Sequence, residues 1–270
     1  MVGSILPQYD ELSLYKKHLG KMVVFGSSRI VPGNGFVCCL SAYLYASEHP
    51  YQNVALLDLD DYNPLFLTTT EKQPKFIREI NTENWDKSCM TKLPNYRVFS
   101  FPDNIDWYTA SDSPSEESSM WSDWKFWREV LSTLLRNYDL VIVHLPPVYN
   151  TPIAEMIYSI SDEVVLTVRP TISDAYSLRR MLNKFKDLDK EKVIHPSLVS
   201  KTNLVYTTPI SMEFPTYDII QDIVTDEVNC LASIDFDNIT KCYTKATLWK
   251  QIPRKQDVVS AFDRLFDLLG

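Results

Sequence analysis

The residues best suited to chemistry lie in one segment, VVFGSSRIVPGNGFVCCLSAYL, at positions 23–44. The chain holds only six glycines in 270 residues, where average usage would give about 19. Three of the six, Gly26, Gly33 and Gly35, fall within ten residues of one another. Glycines at the end of an apolar run allow close backbone approach and unusual dihedrals, which a phosphate cradle at a helix N-terminus requires. The other reading of the same segment is a strand-to-helix turn with glycine for steric reasons alone. Zinc and disulfide chemistry are disfavoured. The five cysteines, Cys38, Cys39, Cys89, Cys230 and Cys242, are odd in number and have no CxxC spacing, which fits buried free thiols.

The elements that must position this segment can be read from the apolar runs. Met22–Phe25 and Leu140–Val143 are short, β-branched and bounded by polar or turn residues, as strands buried on both faces are. Val54–Leu57, Val98–Phe101, Val164–Val168 and Leu204–Tyr206 add four candidates. Apolar residues at three- and four-residue spacing predict helices over Val37–Ser47, Trp124–Arg136, Ile153–Ser159, Ala175–Phe185 and Val258–Leu269. Strands alternating with helices imply right-handed crossovers and a doubly wound α/β fold, a mostly parallel sheet with helices on both faces. In such a sheet ligands bind where strand carboxyl ends meet helix amino ends, which is where the glycine segment falls. Residues 1–20 read as an N-terminal arm and 21–270 as a single domain. Thr109–Asp123, with six serines, four acids and a proline, reads as a solvated loop.

Composition narrows the function classes. Hydrophobic residues at 45% and charged residues at 23% describe a folded globular chain. A net charge of -8 opposes non-specific binding to a phosphate backbone, although Arg179, Arg180, Lys184 and Lys186 form a local basic run. No apolar stretch reaches the roughly 18 residues that cross a bilayer, and the first 20 residues lack the apolar core of a signal peptide. The expected location is cytoplasmic.

Three further segments complete a pattern. VALLDLDDYNP follows the glycine loop, then NYDLVIVHLPP, then SDEVVLTVRP. With the loop, these resemble the MinD/ParA group of deviant Walker A ATPases of the SIMIBI class. That group carries a KGGxGKTT-like loop, an LLDxDxxxP strand end and a YDxVIxDxPP strand end. The resemblance runs from about Lys21 to Leu269 and implies a P-loop NTPase-like fold. It also implies a degenerate site. Aligned without gaps, Arg29 falls at the signature lysine, Gly33 at the last loop glycine, Asn34 at the phosphate-binding lysine and Gly35 at the magnesium-binding Ser/Thr. Alignment on PGNG instead places Phe36 at the lysine and Val37 at the hydroxyl. Either way the lysine that neutralises phosphate and the hydroxyl that ligates Mg²⁺ are missing. Asp58 and Asp60 keep the LLDxD carboxylates, whose other reading is a cap or loop contact. His144 replaces the Walker B-like aspartate, and imidazole suits magnesium poorly; a lone buried histidine is usually a hydrogen-bonded core residue. Thr207 stands nearest to the adenine-contacting asparagine.

The resemblance therefore implies a remnant nucleotide pocket of Arg29, Gly33, Asn34, Gly35, Phe36, Asp58, Asp60 and His144, with no catalytic residue, no metal and no cofactor; ATP or ADP binding is doubtful. LPPVYN and YSLRRML look most like the CpaE/TadZ branch, with cellulose-secretion relatives and polysaccharide-export kinases close behind. The expected role is an inactive scaffold or regulatory subunit of a bacterial membrane-associated machine for secretion, pili or exopolysaccharide. Its partners would be proteins, including a homodimer or heterodimer mate, with no nucleic acid and no direct membrane insertion, and recruitment to the inner face of the membrane would run through them. The alternatives are a nucleotide-binding ATPase or sensor with a divergent loop, and a DNA-partition protein. Arg29 has two readings, a solvated side chain or one that enters a partner's site. Trp121, Trp124 and Trp127 recur every three residues and cannot all face one sheet, so one is a candidate partner anchor. The acidic polar face of Val258–Leu269 favours packing on the domain over membrane binding.

Overall fold

The apolar run after Gly20 forms the middle of the sheet. In the computed structural model, which describes residues 20–31, 33–60, 75–76, 102–109, 124–147, 149–192, 196–208, 217–224, 228–235 and 268–269, this run is β1 (Lys21–Gly26), buried from Met22 onward. The chain continues through α1 (Asn34–Glu48), β2 (Val54–Asp58), β3 (Lys75–Phe76), β4 (Ile105–Thr109), α2 (Trp124–Asn137) and β5 (Leu140–His144). It then forms α3 (Pro152–Ile160), β6 (Glu163–Val168), α4 (Ile172–Lys192), β7 (Thr202–Thr208), α5 (Tyr217–Val224) and β8 (Asn229–Asp235). The strands make one sheet in the order β3-β4-β2-β5-β1-β6-β7-β8, and every pairing is parallel.

Residue parity along the strands divides the core into two layers. Val23, Phe25, Leu56 and Ile142 face α1 and pack with Phe36, Val37 and Leu40. Met22, Val24, Leu57 and Val143 face the other way, against Trp127 of α2, Ile157 of α3, and Leu178 and Phe185 of α4. Helices thus cover both faces, which is why the strands are apolar runs without polar alternation. Threonines start two helices. Thr151 Oγ1 accepts from Ala154 N–H at 3.3 Å, with Pro152 at the first position of α3, and Thr171 Oγ1 accepts from Asp174 N–H at 3.2 Å to begin α4.

The doubly wound expectation is met, with differences in detail. Five predicted strands and four predicted helices appear within a few residues of their expected ends, except that α4 runs seven residues past Phe185. Thr109 ends strand β4 instead of opening a loop, because Ile105–Thr109 pairs in register with Val54–Asp58. β3, β4, β8 and α5 were not anticipated. Val98–Phe101, the rest of the serine-rich stretch and the arm 1–19 lie outside the described residues. Of Val258–Leu269 only Leu268 and Leu269 are described; they are helical, and Leu269 is buried on the α1 face. Trp127 is fully buried, so it is no partner anchor. Trp121 and the side chain of Trp124 lie outside the described residues. Among those described, no helix is long and apolar enough to cross a membrane.

Candidate functional site

The carboxyl end of the sheet gathers the candidate residues around the start of α1. β1 ends at Gly26, and the chain turns through Ser27, whose Oγ donates to Arg29 O at 2.6 Å. Gly33 then takes up φ 98° as the N-cap of α1. That left-handed conformation is one a side chain would strain, so this loop glycine is needed for backbone shape with or without a phosphate. Gly35 and Phe36 are buried in the first turn of α1, and Phe36 belongs to the core on that face.

The other loop glycine has a different reason. A Cβ on Gly26 would lie 2.2 Å from Tyr158 Oη and 3.3 Å from Tyr158 Cζ. Tyr158, on α3, is fully buried, and among the described residues its hydroxyl has no hydrogen-bond partner. Burial holds that hydroxyl protonated, well above the ordinary tyrosine range. Gly26 is therefore the space into which a core tyrosine projects.

Asn34, at the position expected for the phosphate-binding lysine, is 4% exposed. Its Oδ1 accepts from Thr167 Oγ1, on β6, at 2.9 Å. The amide is committed to fastening the first turn of α1 to the sheet.

Asp58 and His144 end adjacent strands in register. Asp58 Oδ1 lies 2.9 Å from His144 Nδ1, and both side chains are completely buried. A carboxylate only accepts, so Nδ1 carries the proton it donates. His144 Nε2 is buried without a hydrogen-bond partner among the described residues. Asp60, also buried, donates its N–H to Asp58 Oδ1 at 3.4 Å. The hydrogen-bonded core reading of His144 holds, and its partner is the retained carboxylate itself. Thr207 is buried with Oγ1 unpartnered among the described residues. In that same set, no three His, Cys, Asp or Glu side chains converge as a metal site would require.

Arg29 leaves this group. Its side chain is 47% exposed and lies 3.9 Å from Asp174 Oδ1, with Nη1 donating to Ser173 Oγ. It is neither simply solvated nor extended from the surface: it links the loop to the start of α4 within its own chain. Asp174, 1% exposed on its side chain, also receives Arg169 through Nε at 2.6 Å and Nη2 at 3.0 Å. These bonds raise the Arg169 pKa against a smaller opposing effect of burial.

The structure thus brings Asp58, Asp60 and His144 together, places Gly33, Asn34, Gly35 and Phe36 in the cap and first turn of α1, and sends Arg29 to α4. Tyr158 and Thr167 carried no signal in the sequence, since their roles depend on contacts across 132 and 133 positions from Gly26 and Asn34. The contacts of Ser173 and Asp174 with Arg29 likewise span the sequence and carried no local signal.

This architecture, an eight-stranded parallel sheet with a loop-to-helix turn at the end of a central strand, matches the fold of solved ParA/MinD-type ATPases. The ParA family ATPase of Chlorobium tepidum superposes with a TM-score of 0.71 at 13% identity, over 92% of this chain and 98% of that one. Apo McdA of Cyanothece gives 0.65 at 14% identity, over 93% and 99%. The MinC:MinD complex of Aquifex aeolicus gives 0.56 at 14% identity, over 92% and 96%. No family model and no curated protein matches the chain.

Proposed function

We propose that this chain is a non-hydrolysing protein on the ParA/MinD fold that works by binding other proteins, as a scaffold or regulatory subunit of a membrane-associated secretion, pilus or exopolysaccharide machine. The observation that carries this reading is that side chains at the positions the resemblance assigns to nucleotide are engaged by the chain's own residues. Asn34 holds Thr167, His144 holds Asp58, and Tyr158 fills the space above Gly26. The donor set does not fit Mg–ATP. Position 34 supplies a neutral amide where the γ-phosphate calls for a cation, position 35 supplies no hydroxyl, and the carboxylate at 58 faces an imidazole that a hard cation does not favour. No step is assigned to a nucleotide here.

Calorimetric titration of the full chain with ATP and ADP, with and without Mg²⁺, alongside phosphate release, tests this reading. The expected result is no saturable heat and no turnover above buffer. Mg²⁺-dependent turnover that disappears in Asp58→Ala would overturn it. A second reading, a nucleotide sensor with a divergent loop, draws support from the left-handed Gly33 cap, which leaves the α1 N-terminus shaped like an anion site. Saturable binding without turnover would select it.

A further inference from the structure

A cavity of about 390 Å³ lies at the amino edge of the sheet, the end opposite the glycine loop. Lys21 opens β1 at the cavity, and Gly26 ends the same strand at the loop. Its size suits a small molecule. The walls are fastened by the chain itself. Gly20 N–H donates to Leu135 O at 2.8 Å, and Lys21 N–H donates to Asp139 O at 2.9 Å. A Cβ on Gly20 would lie 1.9 Å from Tyr138 O, so only glycine lets the start of β1 meet the end of α2 this closely. On the other side, Asn104 Nδ2 shares its two protons among Ala46 O, His49 O and Gln52 O at 3.1, 3.0 and 2.7 Å. Tyr45 Oη donates to Gln52 Oε1 at 2.5 Å. A site held in this way loses little freedom when a ligand enters.

Four polar groups in the lining have bonding capacity left over. The Lys21 ammonium makes no hydrogen bond or ion pair among the described residues. Gln52 accepts from Tyr45 through Oε1, which leaves Nε2 to donate. Asn137 gives Nδ2 to Thr133 O at 2.8 Å and keeps Oδ1. Asp139 accepts from Asn53 N–H through Oδ2 at 2.7 Å and keeps its other oxygen. The lining therefore offers donors at Lys21 and Gln52 and acceptors at Asn137 and Asp139. Arg136 adds a second cation, so the charges around the cavity are two positive and one negative.

We propose that this cavity binds a free acidic amino acid, glutamate or aspartate. Its two carboxylates pair with Lys21 and Arg136, with Gln52 Nε2 as a further donor, and its ammonium is taken by the free oxygens of Asp139 and Asn137. Two carboxylates and one ammonium mirror the two cations and one carboxylate of the lining, so no charge is left uncompensated on either side. A dicarboxylate without the ammonium, or inorganic phosphate, sets like charge against Asp139. A neutral amino acid leaves one cation unmatched. The site is separate from the nucleotide-type positions at the other edge of the sheet and does not rest on the scaffold reading.

The test is calorimetric titration of the full chain, without nucleotide, with L-glutamate, L-aspartate, glutarate, L-glutamine and inorganic phosphate. The expected result is saturable binding of L-glutamate or L-aspartate with a Kd of about 1 mM or tighter, and affinities about tenfold weaker or worse for the other three. Lys21→Met and Asp139→Asn should each weaken binding about tenfold or more. Arg180→Ala, which removes an exposed cation on α4, should leave it unchanged. In the unsubstituted protein, the tighter-binding acidic amino acid at ten times its Kd should slow acetylation of Lys21 by about tenfold, read by mass spectrometry, and leave the exposed Lys190 unaffected. This protection decides the matter even where a variant fails to fold. Absence of saturable binding at about 10 mM overturns the proposal. So does glutarate or phosphate binding as tightly as glutamate, binding that survives both substitutions in variants of unchanged melting temperature, or Lys21 acetylated at the same rate with and without the amino acid.

Discussion

Alanine at position 26 would put its Cβ 2.2 Å from Tyr158 Oη, 3.3 Å from Tyr158 Cζ and 3.6 Å from Leu166 Cδ2. Tyr158 cannot swing aside, because it is fully buried and packs on Phe185 with ring centroids 5.1 Å apart. Gly26→Ala should therefore cost about 1–3 kcal/mol, as overpacking in a closed core does. Tyr158→Phe removes the offending oxygen, and with it a buried hydroxyl that has no partner among the described residues. That substitution should be neutral or stabilise by about 1 kcal/mol, since no hydrogen bond is lost and a desolvation penalty is removed. In the phenylalanine background the nearest atom to the new methyl is Cζ at 3.3 Å, a contact that a few tenths of an ångström of movement relieves. The two substitutions should couple by about 1–2 kcal/mol, measured by urea denaturation of the four proteins in a double-mutant cycle. Costs for Gly26→Ala that agree within about 0.5 kcal/mol in both backgrounds would refute the steric account. So would a Tyr158→Phe protein destabilised by more than about 1 kcal/mol, which would mean the hydroxyl is bonded.

Arg169→Ala strands the buried Asp174 carboxylate without its two-bond partner and should lower stability by about 1–3 kcal/mol; Arg29→Ala, breaking a half-exposed contact, should stay within about 0.5 kcal/mol by the same urea assay. Burial raises the Glu163 pKa, with the Asn203 hydrogen bond opposing it less strongly. The folded protein thus holds this proton more tightly than the unfolded chain, a stabilisation complete below the unfolded value of about 4.3 and lost as pH rises through the folded one. Glu163→Gln should flatten that part of the melting-temperature profile and raise it at neutral pH; a profile parallel to wild type would count against the assignment. Cys38 and Cys39 are buried, and burial pushes the Cys38 thiol well up. Both should resist maleimide in the native state and label at the unfolding rate, read peptide by peptide by mass spectrometry; rapid native labelling would contradict their burial.

What the sequence disclosed follows from how each feature is encoded. β1, β2, β5, β6 and β7 were legible because strands covered on both faces are local runs of Val, Ile and Leu. IDWYT of β4 escaped notice because Asp106 interrupts it; in the fold that carboxylate accepts from Tyr138 Oη at 2.8 Å, a contact 32 positions away. NCLASID of β8 and YDIIQDIV of α5 are too short and mixed for periodicity to separate from loop. At the site, His144 as a hydrogen-bonded core residue was legible from its place at the end of an apolar strand. The tie of Arg29 to α4 was not, since Ser173 lies 144 positions away and nothing local distinguishes a tethered arginine from a solvated one.

The placement of β1 has a consequence for synthesis. Of the described strands this one is made first, yet it pairs with β5 and β6, so it borders residues 140–144 on one side and 163–168 on the other. β2, the next of the described strands, pairs with β4 and β5 and not with β1. The centre of the sheet therefore cannot close until the chain has been extended past residue 168. Until then MVVF is an unpaired, wholly apolar segment on a growing chain. A fold so dependent on distant pairing should form slowly and be most vulnerable to aggregation while only its first half exists, which predicts that fragments ending before β6 recover in the insoluble fraction while the full chain does not.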